Sequence, residues 1–135
     1  MRIALWSLQA LLALAFLGAG LAKLTQPMDA LLASGMTFVE HMPEGLVRFI
    51  GVSEVAGALG LVLPAATRIQ PRLTPIAAGA LALVMVLAVL THVALGEWAA
   101  LGAPIVLGGL AAFVAWGRWV KAPIAPRGAA TEALA

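Results

Sequence analysis

Apolar residues in this chain fall in long blocks rather than alternating with polar ones. Residues 3–22 carry no charge, and neither do residues 98–117. Residues 46–63 enclose Arg48 near one end and Glu54 inside, and residues 73–95 enclose His92 as their only ionisable group. A bilayer core of about 30 Å takes about 20 such residues per helix. Backbone groups in lipid must bond within their own segment, so the blocks predict helices. Spans are expected over about residues 3–24, 46–63, 73–95 and 98–118. A transmembrane barrel would need period-two alternation, which is absent. The predicted fold is all-α, a polytopic membrane four-helix bundle.

Prolines and glycines punctuate these blocks. Pro27 stops the first span after Lys23-Leu24-Thr25-Gln26. Residues 25–45 form the longest connection, yet they hold Leu31, Leu32, Met36, Phe38 and Val39. That is too apolar for a free loop and predicts a short helix lying on the membrane or plugging the bundle mouth. Pro43 opens the approach to span two, and Pro64 is expected to close it. Residues 68–72 make a short basic turn around Pro71. Pro75 falls in the first turn of span three, where its missing N–H does little harm. The connection at Gly96-Glu97 is very short, so spans three and four should be antiparallel neighbours. Pro104 is expected to kink span four. Residues 121–135 read as a flexible tail.

Composition narrows the function classes. Charged residues make up 10% of the 135, against about 25% in soluble domains. A water-soluble domain of this length needs a polar shell that the chain lacks, and disorder needs the opposite composition. Having no cysteine excludes disulfides, thiol relays and thiolate metal sites. The net charge of +2 rests on only eight Lys and Arg residues, too few for a nucleic-acid footprint. The lipid bilayer is the expected partner. Arg2, Arg68, Arg72, Arg118, Lys121 and Arg127 fall on one side of the four spans, and Lys23 and Arg48 on the other with Asp29, Glu40, Glu44 and Glu97. By the positive-inside rule both termini are expected to be cytoplasmic, in a multi-pass protein of the cell (inner) membrane. Trp6, Trp98, Trp116 and Trp119 lie near predicted helix ends, as interfacial anchors do. Met1-Arg2 and the apolar run to Gly20-Leu21-Ala22 have some look of a signal peptide. The run is long for that role and Lys23 follows directly, so the segment is expected to remain as the first span.

Three polar residues inside the spans are the candidates for chemistry. Glu54 lies eight residues into span two, about 12 Å deep at 1.5 Å per residue. An acid at that depth costs a few kcal/mol and must face the bundle with a partner. Lys23 can reach inward from the end of span one, or snorkel to the head groups. His92 lies near the end of span three on one face with Met85 and Ala88. All three belong to the half of the membrane away from the termini and would form a polar pocket below residues 25–45. Gly51, on the face of Glu54 with Gly57 and Ala58, and Met85, on the face of His92, complete the expected ligand-binding set. Span one offers Ala15, Gly18, Ala19 and Ala22 as a matching small-residue face for close packing. One histidine and one acid are too few for a metal site, so none is expected.

The run Gly18-Ala19-Gly20-Leu21-Ala22-Lys23-Leu24 resembles the first-helix GxxKL signature of the DoxX-like membrane proteins. Residues 51–61, with Pro64 following, resemble that family's GxxExxGALGL second helix, and Thr91-His92 also matches. The resemblance covers roughly residues 3–120. It implies a four-helix membrane bundle with Lys23, Glu54 and His92 as characteristic polar positions, without assigning their roles. The wider DoxX group includes proteins linked to quinone-coupled thiosulfate oxidation and membrane parts of oxidoreductase complexes. A related architecture occurs in the vitamin K epoxide reductase group, whose thiol chemistry this cysteine-free chain cannot carry.

Three functions compete. In the first, the chain binds a small apolar, quinone-like ligand as a membrane component of a redox system. Glu54 and His92 would exchange protons with the ligand's oxygens while Lys23 holds Glu54. No intrinsic cofactor is expected beyond a bound quinone, so electrons would come from a redox-partner protein. In the second, the chain is a non-enzymatic accessory or assembly subunit, and the polar cluster is a clasp. The third is a small-solute transporter, which the short chain and absent inverted repeat disfavour, although a homo-oligomer could still build a pathway. The spacing carries no nucleophile–base signature, so whether the chain is an enzyme stays open.

Overall fold

The computed structural model describes residues 1–128. Four long helices dominate it: α1 (Arg2–Thr25), α3 (Glu44–Thr67), α4 (Leu73–Leu95) and α5 (Gly102–Trp116), with the short α2 (Met28–Ala33) between the first two. A 3-10 turn at Trp98–Leu101 leads into α5, and a π-helical turn at Gly117–Lys121 extends it. Four stretches are long and apolar enough to cross a membrane: Arg2–Thr25, Glu44–Thr67, Leu73–Leu95 and Trp98–Lys121. This is a multi-pass membrane protein.

The long helices run antiparallel in a ring. α1 packs most extensively on α3, α4 on α5, and α3 on α4. Leu5 of α1 meets Gly117 after α5, which closes the ring near the termini. The end holding both termini and the 68–72 turn is here the termini end; the other, holding α2, is the loop end. Leu12, Phe16, Leu61, Leu81, Ala111 and Val114 fill the centre. Large apolar residues such as Leu14 and Leu83 remain exposed on the outer faces, at 69% and 60%. In hydrocarbon such exposure carries no penalty.

Proline behaves differently from the sequence expectation at two places. Pro64 does not close α3, which continues to Thr67. A proline removes only the bond from its own nitrogen, and later residues can still donate upstream. The Arg68 N–H indeed bonds Pro64 O at 3.0 Å, and the helix stops where Arg68 turns left-handed at φ 61°. Pro104 does not interrupt an established helix either. It is the third residue of α5, in the first turn, where no helical partner awaits its N–H.

Residues 25–45 plug the loop end. α2 and the 3-10 turn Thr37–His41 bury Leu31 and Val39 against Val47 of α3, with Met36, Phe38 and Met42 around them. The end of α1 is completed from α3. Arg48 donates to the carbonyls of Lys23 and Gln26, the latter at 2.7 Å, while Glu44 holds its guanidinium at 2.7 Å. Orphan carbonyls at a helix end need such donors. At the termini end, the first part of the expected tail lies on the α3–α4 turn. Arg68 Nε donates to Ala125 O at 3.0 Å, and Arg127 N–H to Arg68 O at 3.0 Å. The remainder of that tail, residues 129–135, lies outside the described residues.

Candidate functional site

Helix direction brings Lys23 and Glu54 together. Cα–Cβ bonds tilt toward the N-terminus of their own helix. In α1 that direction is into the bundle from the loop end, and in α3 it is back toward the loop end. The two side chains therefore lean toward each other. Lys23 Nζ donates to Glu54 Oε2 at 2.7 Å, with side chains only 7% and 4% exposed. Glu54 lies ten residues beyond Glu44, about 15 Å into the span at 1.5 Å per residue. Close helix approach makes the short bond possible. A Cβ on Gly51 would lie 2.9 Å from Gly20 O and 3.0 Å from Lys23 Cβ, and one on Gly20 would lie 2.8 Å from Gly51 O. Only glycine at both positions lets these backbones touch.

Beside this pair lies a cavity of about 440 Å³. Its walls are Phe16 and Ala19 of α1, Phe49 and Ile50 of α3, Val84 and Met85 of α4, and Pro104 and Leu107 of α5, with Phe38 and Met42 closing it from the plug. Lys23, Glu54, Ser53, Thr91 and His92 supply its polar edge. Ser53 and Thr91 bond back to their own helices, to Phe49 O and Leu87 O at 2.9 Å. His92 Nδ1 donates to Glu97 Oε2 at 2.7 Å, since a carboxylate can only accept. In the neutral ring this leaves Nε2 as the lone-pair nitrogen. Phe38 presents its ring edge-on to His92 at 6.0 Å and 85°. Gly96, left-handed at φ 72°, ends α4 and turns the chain so that Glu97 returns to His92. Hydrogen bonds from Thr37 and then from His92 hold the Glu97 carboxyl below its usual range.

A family model matches residues 7–114, from within α1 to near the end of α5. The chain belongs to the DoxX-like family. Comparison with curated proteins and with solved structures gave no match. The DoxX-like motifs meet at the pair: Gly20 and Lys23 come from the first, Gly51 and Glu54 from the second.

In this DoxX-like bundle the expected site residues separate into two groups. Lys23, Glu54, His92 and Met85 all line the cavity. Gly51 lies instead in the α1–α3 contact, where it sets the distance between those helices. The small-residue face expected on α1 is also rotated. Gly20 is buried against α3, whereas Gly18 and Ala15 are exposed. Glu97, Thr37 and Phe38 joined the site without having been singled out. The Gly96-Glu97 pair at the end of an apolar block was the available signal, since a glycine there caps a helix and reverses the chain.

A second polar cluster lies at the termini end. Gln9 is fully buried; its Nε2 donates to Leu61 O at 2.6 Å and its Oε1 accepts from Arg118 Nε at 2.5 Å. The Arg118 guanidinium also stacks over Trp6, 5.3 Å from the ring centre. Neither Gln9 nor the burial of Arg118 follows from the sequence pattern. Gln9 adds no charge to a block that stays apolar overall, and Arg118 stands where snorkelling arginines ordinarily stand.

Proposed function

We propose that this DoxX-like protein binds a small apolar ligand bearing carbonyl oxygens, a quinone being the best fit, as a membrane component of a redox system. One observation carries the reading: an apolar, aromatic-walled cavity in a membrane bundle ends on a buried Lys23–Glu54 pair and His92. Ligand sites have this form, mostly apolar with a few convergent polar groups. Phe16, Phe38, Phe49 and Met85 would enclose the ring, and Lys23 Nζ and the His92 edge would face its oxygens. A quinone supplies two-electron, two-proton chemistry when bound. On the protein side, Lys23 holds the Glu54 carboxylate in position, and Glu97 fixes the tautomer of His92. The electrons would come from a partner protein. The termini would face the cytoplasm, since six of the eight basic residues lie at their end.

The test is binding of decylubiquinone to the purified full chain in detergent micelles, followed by titration calorimetry. Saturable binding by the wild type, weakened at least tenfold in both Glu54→Gln and His92→Gln, supports the reading. No binding by a well-folded wild type ends it. A second reading is favoured by the mutual satisfaction of Lys23 and Glu54, which need no ligand to be paired. In that reading the pair is a clasp and the protein an accessory subunit of a membrane complex. A Glu54→Gln chain that fails to assemble, from a wild type that binds nothing, selects it.

A further inference from the structure

Among the described residues, Arg118 is a buried cation without an anion. It is only 4% exposed. Nε is taken by Gln9, Nη1 reaches Ala122 O at 3.4 Å, and Nη2 has no hydrogen-bond partner among the described residues. Thr74 Oγ1, at the same end of the bundle, is the other buried side-chain atom without one. All five carboxylates among the described residues, Asp29, Glu40, Glu44, Glu54 and Glu97, belong to the loop half. A guanidinium cannot lose its proton, and a buried charge left unpaired costs several kcal/mol.

Nη2 is itself shielded from solvent, but the residue borders open space. Arg118 lines a groove at the termini end together with Arg72, Trp119 and the Pro123–Pro126 stretch folded back from α5. Arg72 and Trp119 are exposed. The groove lies at the end of the apolar spans, at the level where lipid head groups sit. We propose that it is a second binding site, which takes a phosphate group between Arg118 and Arg72. Guanidinium groups suit phosphate oxygens because their planar N–H forks match them two at a time. The source the groove favours is the head group of an anionic phospholipid. Trp119 and Ile124 beside the arginines offer an apolar edge to its chains, and free phosphate has no use for one. This site lies at the opposite end from the proposed ligand cavity and does not depend on it.

Titration of the full chain in zwitterionic micelles with short-chain phosphatidylglycerol tests the proposal, read by native mass spectrometry and by the thermal midpoint. Phosphatidylglycerol should bind saturably and raise the midpoint, and phosphatidylcholine and inorganic phosphate at equal concentration should not. Arg72→Gln should weaken binding about fivefold, the contribution of one basic residue at an anionic surface. Arg127→Gln removes the same charge from the same end but outside the groove walls, and should weaken it less than twofold. Arg118→Gln should abolish saturable binding; if that variant does not fold, the Arg72 and Arg127 comparison still decides. Equal losses from Arg72→Gln and Arg127→Gln would reduce the effect to surface charge and overturn the site. Inorganic phosphate binding as tightly as the lipid would overturn the lipid assignment.

Discussion

Removing one member of the Lys23–Glu54 pair should harm the fold more than removing both. The pair is bonded at 2.7 Å with both side chains more than nine-tenths buried. For such pairs attraction and desolvation nearly cancel, and replacing both groups by apolar ones of similar size is often neutral or stabilising. Lys23→Met alone strands a carboxylate. Neutralising it at pH 7 costs about 3.7 kcal/mol, at about 1.36 kcal/mol for each pH unit above roughly 4.3. Glu54→Leu alone strands an ammonium, whose neutralisation at pH 7 costs about 4.6 kcal/mol from an ordinary value of roughly 10.4. Each single variant should thus lose about 3–5 kcal/mol. The Lys23→Met/Glu54→Leu double variant should recover to within about 1.5 kcal/mol of the wild type, as volume-conserving apolar swaps do. The pH trends should be opposite. The Lys23→Met deficit shrinks as pH falls and the carboxyl protonates, and the Glu54→Leu deficit shrinks as pH rises. Reversible unfolding in mixed dodecylmaltoside and sodium dodecyl sulfate micelles, over pH 5–9, measures all four corners of the cycle. Additive losses, with the double variant the least stable, would refute the reasoning. The double variant also separates fold from function: it should stand folded and bind no quinone.

Other positions give independent checks. Gly51→Ala places a Cβ 2.9 Å from Gly20 O and should cost about 1–3 kcal/mol by forcing α1 and α3 apart. Gly18→Ala meets nothing within 4 Å and should change stability by less than about 0.5 kcal/mol in the same micelle assay. Gln9→Leu strands the Arg118 Nε, while the Leu61 carbonyl keeps its helical bond, and should lower stability by about 1–3 kcal/mol for that one unsatisfied group. The Glu97 carboxyl is held below its usual range in the folded state. Its contribution is therefore complete above the unfolded glutamate value of roughly 4.3 and is lost as pH falls through the lower folded value. Thermal midpoints between pH 3 and 6 should show that acid loss in the wild type and less of it in Glu97→Gln.

The four spans were legible because charge-free blocks of that length have one backbone solution in lipid. The Lys23–Glu54 partnership was legible only as one of two options: a deep acid must find a cation and few were within reach, but the sequence left Lys23 equally free to snorkel to the head groups. The rotation of α1 about its axis was not. Lipid is as apolar as the core, so Leu14 facing out and Leu12 facing in leave no difference in the pattern. The choice of Gly20 over Gly18 is made by the fit to Gly51, which no single helix records. Gln9 and Arg118 were hidden by distance, their bond joining residues 109 apart in the chain. The run past Pro64 was misread because proline constrains the residue before it more than the residues after it.

The interlock of α1 with α3 bears on how the chain enters the membrane during synthesis. Every cross-helix polar bond of α1 to α3 joins it to the next span to leave the ribosome: Lys23 to Glu54, Gln9 to Leu61 O, and the α1 carbonyls to Arg48. A bare charge at a span centre opposes insertion by about 2.5–3.5 kcal/mol. Delivered after α1, Glu54 would meet in Lys23 a counter-ion that has already left the ribosome. The first two spans would then partition as a hairpin, and Lys23→Met should lower the membrane-inserted fraction of the second span in glycosylation mapping.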